Sequence, residues 1–118
     1  MKIFVYGTLK RGFGANRLLR DSQMVAEDYI DGAHMVSLGG FPGVFLSHRE
    51  GTTGHVQGEV YEIDDVVLEH LDHYESNGSF YQRQKVTTRG GLEVEVYEFL
   101  SPSERYQPVP DGVWRRAG

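Results

Sequence analysis

The chain has 118 residues, no cysteine and a formal net charge of −5, with acids and bases interspersed. Disulfides and thiolate metal sites are therefore excluded, and the only basic clusters, Lys10-Arg11 and Arg115-Arg116, are too sparse to follow a nucleic-acid backbone. The apolar run in Met1–Tyr6 is too short for a signal peptide, and no stretch approaches the roughly 20 apolar residues of a membrane span, so the expectation is one soluble, cytoplasmic domain over residues 1–118, with neither nucleic acid nor membrane as partner.

Lys2–Tyr6 suits a buried strand and runs straight into Gly7-Thr8-Leu9. Such a bend either presents backbone N–H groups to a ligand or is a tight turn without chemistry. Glycines 7, 12 and 14 then break the pattern before Asn16–Arg20, one or two helical turns that Asn16 can cap through its side-chain oxygen. Met24–Ile30 and Ala33–Leu38 are predicted strands, joined by the hairpin dipeptide Asp31-Gly32. Gly39-Gly40-Phe41-Pro42-Gly43 interrupts the chain before Val44-Phe45-Leu46. It is either a cavity wall or a kinked connection whose Phe41 fills the core.

His55–Ile63 alternates with the two-residue period of a half-buried strand, and Gly58 within it marks a bulge or a close backbone approach. The strongest helix follows. Asp64 is a natural N-cap, Ile63 can staple onto Leu68, and Val67, Leu71 and Tyr74 recur at helical spacing until Asn77-Gly78. Tyr81–Arg89 and Leu92–Leu100 are strands joined by Gly90-Gly91, a two-residue hairpin signal. Val94 and Val96 share one face of the second strand; Tyr97 and Phe99 share the other. The tail carries three of the four prolines and the sole tryptophan, Trp114, which packs it down. With fifteen glycines and no repeat period, the predicted fold class is α+β: a small, mainly antiparallel β-barrel with a few short helices.

Chemistry-bearing residues concentrate between Leu71 and Arg83. Glu75 closes the helix, where an exposed carboxylate is disfavoured by about 0.3–1 kcal/mol and a lysine would be preferred. It also falls beside the apolar stripe and can turn inward, where burial and the negative helix end raise a carboxyl pKa toward the range of a general acid/base. Spacing alone favours the solvated helix-end reading. His70 and His73 lie one turn apart beside Glu69 and Asp72, but the pattern is not His-Glu-x-x-His and no third ligand is indicated. His34, His48 and His55 have no supporting spacing, so no metal or cofactor is assigned. There is no Gly-x-Ser-x-Gly; Ser37 is a poor nucleophile elbow, and Gly7, Gly12 and Gly14 have the wrong spacing for a phosphate loop.

Taken together, these segments resemble the gamma-glutamylcyclotransferase-like family. The matching pieces are Phe4–Gly12 with Asn16, Gly39–Gly43, Val56–Tyr61, Leu71-Asp72 through Glu75 to Tyr81-Gln82-Arg83, and Asp111–Trp114, in order over nearly the whole chain. Members of similar length are gamma-glutamylamine cyclotransferase-like proteins, some of which lack the glutamate. The resemblance implies a small barrel-like fold with a cavity at one end. It further implies that Tyr6, Gly7, Thr8 and Leu9 hold the glutamyl part of a small gamma-glutamyl substrate through backbone groups, Gly7 letting the backbone come close. Glu75 matches the family's acid/base. The implied reaction is cyclisation of a gamma-glutamyl amine or amino acid to 5-oxoproline and a free amine, by attack of the substrate's own alpha-amine.

Tyr81 is either a contact to substrate or Glu75, or a half-buried strand tyrosine; Arg83 reads as part of a structural ion pair, and Asn16 as a cap. A non-catalytic binding module on the same fold, with Glu75 a mere polar contact, is the alternative, and metal-assisted hydrolysis through His70 and His73 a third. The leaving amine and the oligomeric state stay open at this stage.

Overall fold

The computed structural model describes residues 1–46, 54–101 and 106–115, so His48 and Arg116 lie outside the described residues. In chain order the strands are β1 (Lys2–Val5), β2 (Gln23–Asp31), β3 (Ala33–Ser37), β4 (Pro42–Leu46) and β5 (His55–Glu62), then α1 (Asp65–Tyr74), β6 (Tyr81–Thr87), β7 (Glu93–Phe99) and β8 (Gln107–Val109). A 3-10 helix covers Gly14–Leu19. The apolar start of the chain becomes the middle of a five-stranded sheet ordered β2-β5-β1-β7-β6. Every pairing in it is antiparallel except β1 with β7. Both faces of β1 are covered, Ile3 and Val5 in one apolar cluster and Phe4 in the other, which is why its sequence is apolar without alternation. No described helix is long and apolar enough to cross a membrane.

The class is α+β and mostly antiparallel, as expected, but the strands do not close into one barrel. β4, β3 and β8 form a separate three-stranded sheet, and β2 and β6 are the outer strands of the larger one. The reason lies at Asp31-Gly32. The expected hairpin there does not form: β2 pairs with β5, whereas β3 pairs with β4 and β8. Gly32, at φ 75°, turns the chain from one sheet into the other and donates its N–H to the Gly54 carbonyl at 2.8 Å. β8 was hidden in the proline-rich tail; its Pro108 is tolerated because the strand lies at a sheet edge.

The β6–β7 turn also departs from expectation. Thr88 donates its N–H to the Leu92 carbonyl, and Arg83 faces Tyr97, so the loop holds three residues instead of two. Asp28 of β2 sets this. Its carboxylate accepts from Thr88 Oγ1 at 2.6 Å and from the Gly90 N–H at 3.1 Å. A one-residue change of register exchanges the two faces of a strand, so this contact decides that Tyr97 and Phe99 line up with Tyr81.

α1 starts as predicted: Val67 donates its N–H to Asp64 Oδ1 at 2.8 Å, and Ile63 and Leu68 join one apolar cluster. It ends where Glu75 was expected to close it, ahead of Asn77-Gly78. Glu75 is the C-cap, and Ser76, at φ 51°, takes the left-handed place that glycine usually fills. The N–H groups of Ser76 and Asn77 return to the carbonyls of His73 and Asp72, a paired closure that offsets the cost of about 1–2 kcal/mol for that backbone in a residue with a Cβ. Asn16 does not cap. The 3-10 helix begins after Phe13 without a side-chain cap, and Asn16 donates to the Leu9 carbonyl at 2.8 Å instead.

Candidate active site

Where β1 ends, the bend Tyr6–Leu9 faces the end of α1 across a cavity of about 340 Å³. Lys10 donates its N–H to the Gly7 carbonyl at 3.0 Å, closing the bend. Behind it, Asn16 holds the Leu9 carbonyl, the Arg11 N–H meets Glu59 Oε1 at 2.8 Å, and Tyr61 donates to the same oxygen at 3.0 Å. Glu59 is buried beneath this turn. Lys10 Nζ reaches the Trp114 carbonyl at 2.9 Å and so ties the tail to the bend. Among the described residues, no acceptor takes the N–H groups of Gly7, Thr8 and Leu9.

Gly7 has a steric reason to be glycine. A Cβ there would lie 2.6 Å from Pro42 Cγ and 2.8 Å from Cδ. The ring of Pro42 therefore presses onto the bend, and the Pro42 carbonyl accepts from the Tyr81 hydroxyl at 2.8 Å. Within Gly39–Gly43, Gly40, Phe41 and Pro42 thus form a cavity wall. Phe41 lines the cavity and is 38% exposed, so it does not fill the core.

Glu75 is half-buried and lines the same cavity as Gly7, Thr8 and Leu9. Burial raises its pKa from 4.5 to about 7. Its negative charge helps to hold the phenols of Tyr6 and Tyr81 protonated, and burial does most of that work. Tyr97 is also held protonated, by burial, its bond to Asp72 and a smaller effect of Glu75. None of the three spends its proton on Glu75. Tyr6 donates to the Tyr97 carbonyl at 2.6 Å, Tyr81 to Pro42, and Tyr97 to Asp72 Oδ1 at 2.7 Å. The carboxyl therefore sits among phenols without a donor that would pull its pKa back down.

A model of the family described as "Gamma-glutamyl cyclotransferase, AIG2-like" matches residues 3–116. The chain belongs to this cyclotransferase family. It is 32% identical over 114 residues to the gamma-glutamylcyclotransferase family protein YtfP of Escherichia coli, covering 97% of this chain and 96% of that one. The solution structure of that protein superposes with a TM-score of 0.75. Identity to human gamma-glutamylaminecyclotransferase is 33% over 117 residues, covering 94% of this chain and 72% of the human one. The crystal structure of an AIG2-like protein of Mus musculus has a TM-score of 0.76 at 28% identity, covering 89% and 80% of the two chains.

In this cyclotransferase-family chain the fold brings Tyr6, Gly7, Thr8, Leu9, Glu75 and Tyr81 around one cavity. His70 and His73 are exposed on α1 and do not line it. The sequence places Tyr97 on a strand face with Phe99 but does not reveal the tie it serves. Asp72, one turn before Glu75, accepts two bonds from Arg83, 2.7 Å from Nε and 3.1 Å from Nη2, besides the one from Tyr97. Arg83 Nη1 also meets Glu95 at 2.8 Å, and the Arg83 N–H meets Asn77 Oδ1 at 2.9 Å. The ion pair expected of Arg83 thus pins the end of α1 to β6 and β7. A β6–β7 register placing Arg83 opposite Tyr97 would have revealed this tie.

Asp72→Ala removes three bonds at once and leaves the Arg83 guanidinium with Glu95 alone. Charge-assisted hydrogen bonds contribute about 1.5–3 kcal/mol each when well buried; these side chains are 22% and 26% exposed, which lowers that value. The expected loss is about 1–3 kcal/mol in urea unfolding, with Asp72→Asn less damaging because its amide oxygen still accepts from Tyr97.

Proposed function

We propose that the cavity cyclises a small gamma-glutamyl amine or gamma-glutamyl amino acid. The observation that carries this reading is a half-buried carboxyl with a pKa of about 7, lining the same cavity as a bend whose N–H groups have no described acceptor. A volume of about 340 Å³ lies at the small end of ligand pockets, which suits a glutamyl group and a modest leaving amine.

The substrate's alpha-ammonium group is protonated at neutral pH and is not nucleophilic. Ionised Glu75 takes a proton from it as the nitrogen attacks the side-chain amide carbonyl. A C–N bond closes a five-membered ring, and the amide C–N bond breaks as Glu75 returns that proton to the departing nitrogen; the second proton that the ring nitrogen must shed passes through the same carboxylate, so the amine leaves as an ammonium ion. The products are 5-oxoproline and a free amine, with no water consumed. The N–H groups of Gly7, Thr8 and Leu9 take either the oxyanion or the alpha-carboxylate. Tyr6 and Tyr81, their protons committed elsewhere, shape the wall and exclude water that would depress the Glu75 pKa.

The deciding experiment incubates the protein with a panel of gamma-glutamyl amines and dipeptides and scores 5-oxoproline by mass spectrometry. Release from at least one compound is the expected result. Saturable binding of the panel with no 5-oxoproline would instead assign a binding module.

A further inference from the structure

Six large apolar side chains of the described residues are exposed, and the three aromatic ones, Phe41, Tyr74 and Phe80, all line the cavity. They are 38%, 44% and 40% exposed and come from three different segments: the glycine-rich wall, the last turn of α1, and the loop before β6. Chance scatter of exposed apolar residues does not gather at one opening.

These rings are held in place. Phe80 packs edge-on against the buried rings of Phe99 at 5.0 Å and Tyr81 at 5.1 Å, so it cannot fold inward. Phe41 leans on Phe80 with centroids 6.1 Å apart at 55°. Hydrogen bonds fix the backbone beneath both: Leu38 to the Phe41 carbonyl at 2.9 Å and Leu100 to the Phe80 carbonyl at 3.1 Å. Across the opening, the Tyr74 hydroxyl lies 3.0 Å from Thr8 Oγ1, which joins α1 to the bend.

The same lining thus combines the bend and Glu75, which the proposed reaction assigns to the glutamyl group, with three exposed rings. On that reading of the function, the scissile carbonyl lies by Glu75 and the glutamyl end is taken up by the bend, which leaves the rings for the leaving amine. We propose that Phe41, Phe80 and Tyr74 select a leaving amine that carries an aromatic ring, packed against the tilted Phe41–Phe80 pair. Tilted and edge-on contacts are the geometries that aromatic rings prefer, and covering three half-exposed rings removes apolar area from water.

The test uses gamma-glutamyl amides of 2-phenylethylamine, ethylamine and 1,4-diaminobutane. For the active protein, kcat/KM for the phenylethyl amide should exceed that for the ethyl amide by about tenfold or more. Phe80→Ala and the milder Phe80→Leu, like Phe41→Ala, should shrink that ratio toward one. Calorimetric Kd values on Glu75→Gln protein, in which the chemistry is disabled, should show the same order. Equal kcat/KM and equal Kd for the phenylethyl and ethyl amides would overturn the aromatic selection while leaving cyclisation intact, as would a preference for the diaminobutane amide. Absence of 5-oxoproline from all three, with the phenylethyl amide still bound more tightly, would reject the cyclisation and keep the selection.

Discussion

Glu75→Gln is expected to lower turnover of a gamma-glutamyl amide by about 100- to 10,000-fold, the usual contribution of a positioned acid/base, with the fold intact. The amide has the size of the acid but can neither take the proton of the alpha-ammonium group nor return it to the leaving nitrogen. Because the carboxyl must be ionised to act first as base, kcat/KM of the native protein should rise with pH through about 7, and the residual activity of the variant should lack that limb. Turnover equal to the native protein's would remove Glu75 from the mechanism.

The same substitution has an opposite effect on stability. Folding raises the Glu75 pKa from 4.5 to about 7, so the folded state binds this proton more tightly than the unfolded one. The stabilisation due to the bound proton is complete below pH 4.5 and is lost as pH rises through about 7. Above that range the native protein carries a poorly solvated charge that glutamine lacks. The variant should therefore be more stable at pH 8 by roughly 1–3 kcal/mol, after discounting for partial exposure, and the advantage should fade by about pH 5. Thermal unfolding of both proteins across this range measures it. A gain in stability with a loss of activity marks a site held at a cost for its chemistry.

Gly7→Ala is expected to disturb both fold and activity. The new methyl would meet Pro42 ring atoms at 2.6 and 2.8 Å, and a proline ring cannot rotate aside. Nor can Pro42 withdraw freely, since its carbonyl holds the Tyr81 hydroxyl. The strain must move the bend, at a cost of about 1–3 kcal/mol for overpacking. A shift of about 1 Å in groups that orient a substrate can lower kcat/KM by about 100-fold. The clash has a direct check: Pro42→Ala in the Gly7→Ala background keeps the carbonyl at position 42 and removes the ring. Part of the stability should return. If the double variant is no more stable than Gly7→Ala alone, the steric account of Gly7 fails.

Local pattern carried the elements. The alternation in His55–Ile63 places Val56 and Val60 in the core, and Asp64 caps α1 as its position foretells. Each follows from interactions within a few residues, which a linear reading captures. Asp31-Gly32 and Gly90-Gly91 were misjudged for one reason: their outcomes rest on distant partners, the Gly54 carbonyl in one case and the Asp28 carboxylate in the other.

The matching segments were legible as a family pattern in order along the chain, yet whether Glu75 faces solvent or a cavity was not, and helix-end rules pointed the wrong way. Its burial depends on walls built by remote pairs, Tyr6 with the Tyr97 carbonyl across 91 positions and Tyr81 with the Pro42 carbonyl across 39. Those contacts exist only after the two sheets pack and β6 and β7 take their register. Strands, cap and family pattern were thus written in the chain, because short-range sterics and hydrogen bonding suffice to specify them. The proton affinity of one carboxyl was left to the assembled fold, because desolvation depends on everything that surrounds a group and not on its neighbours in sequence.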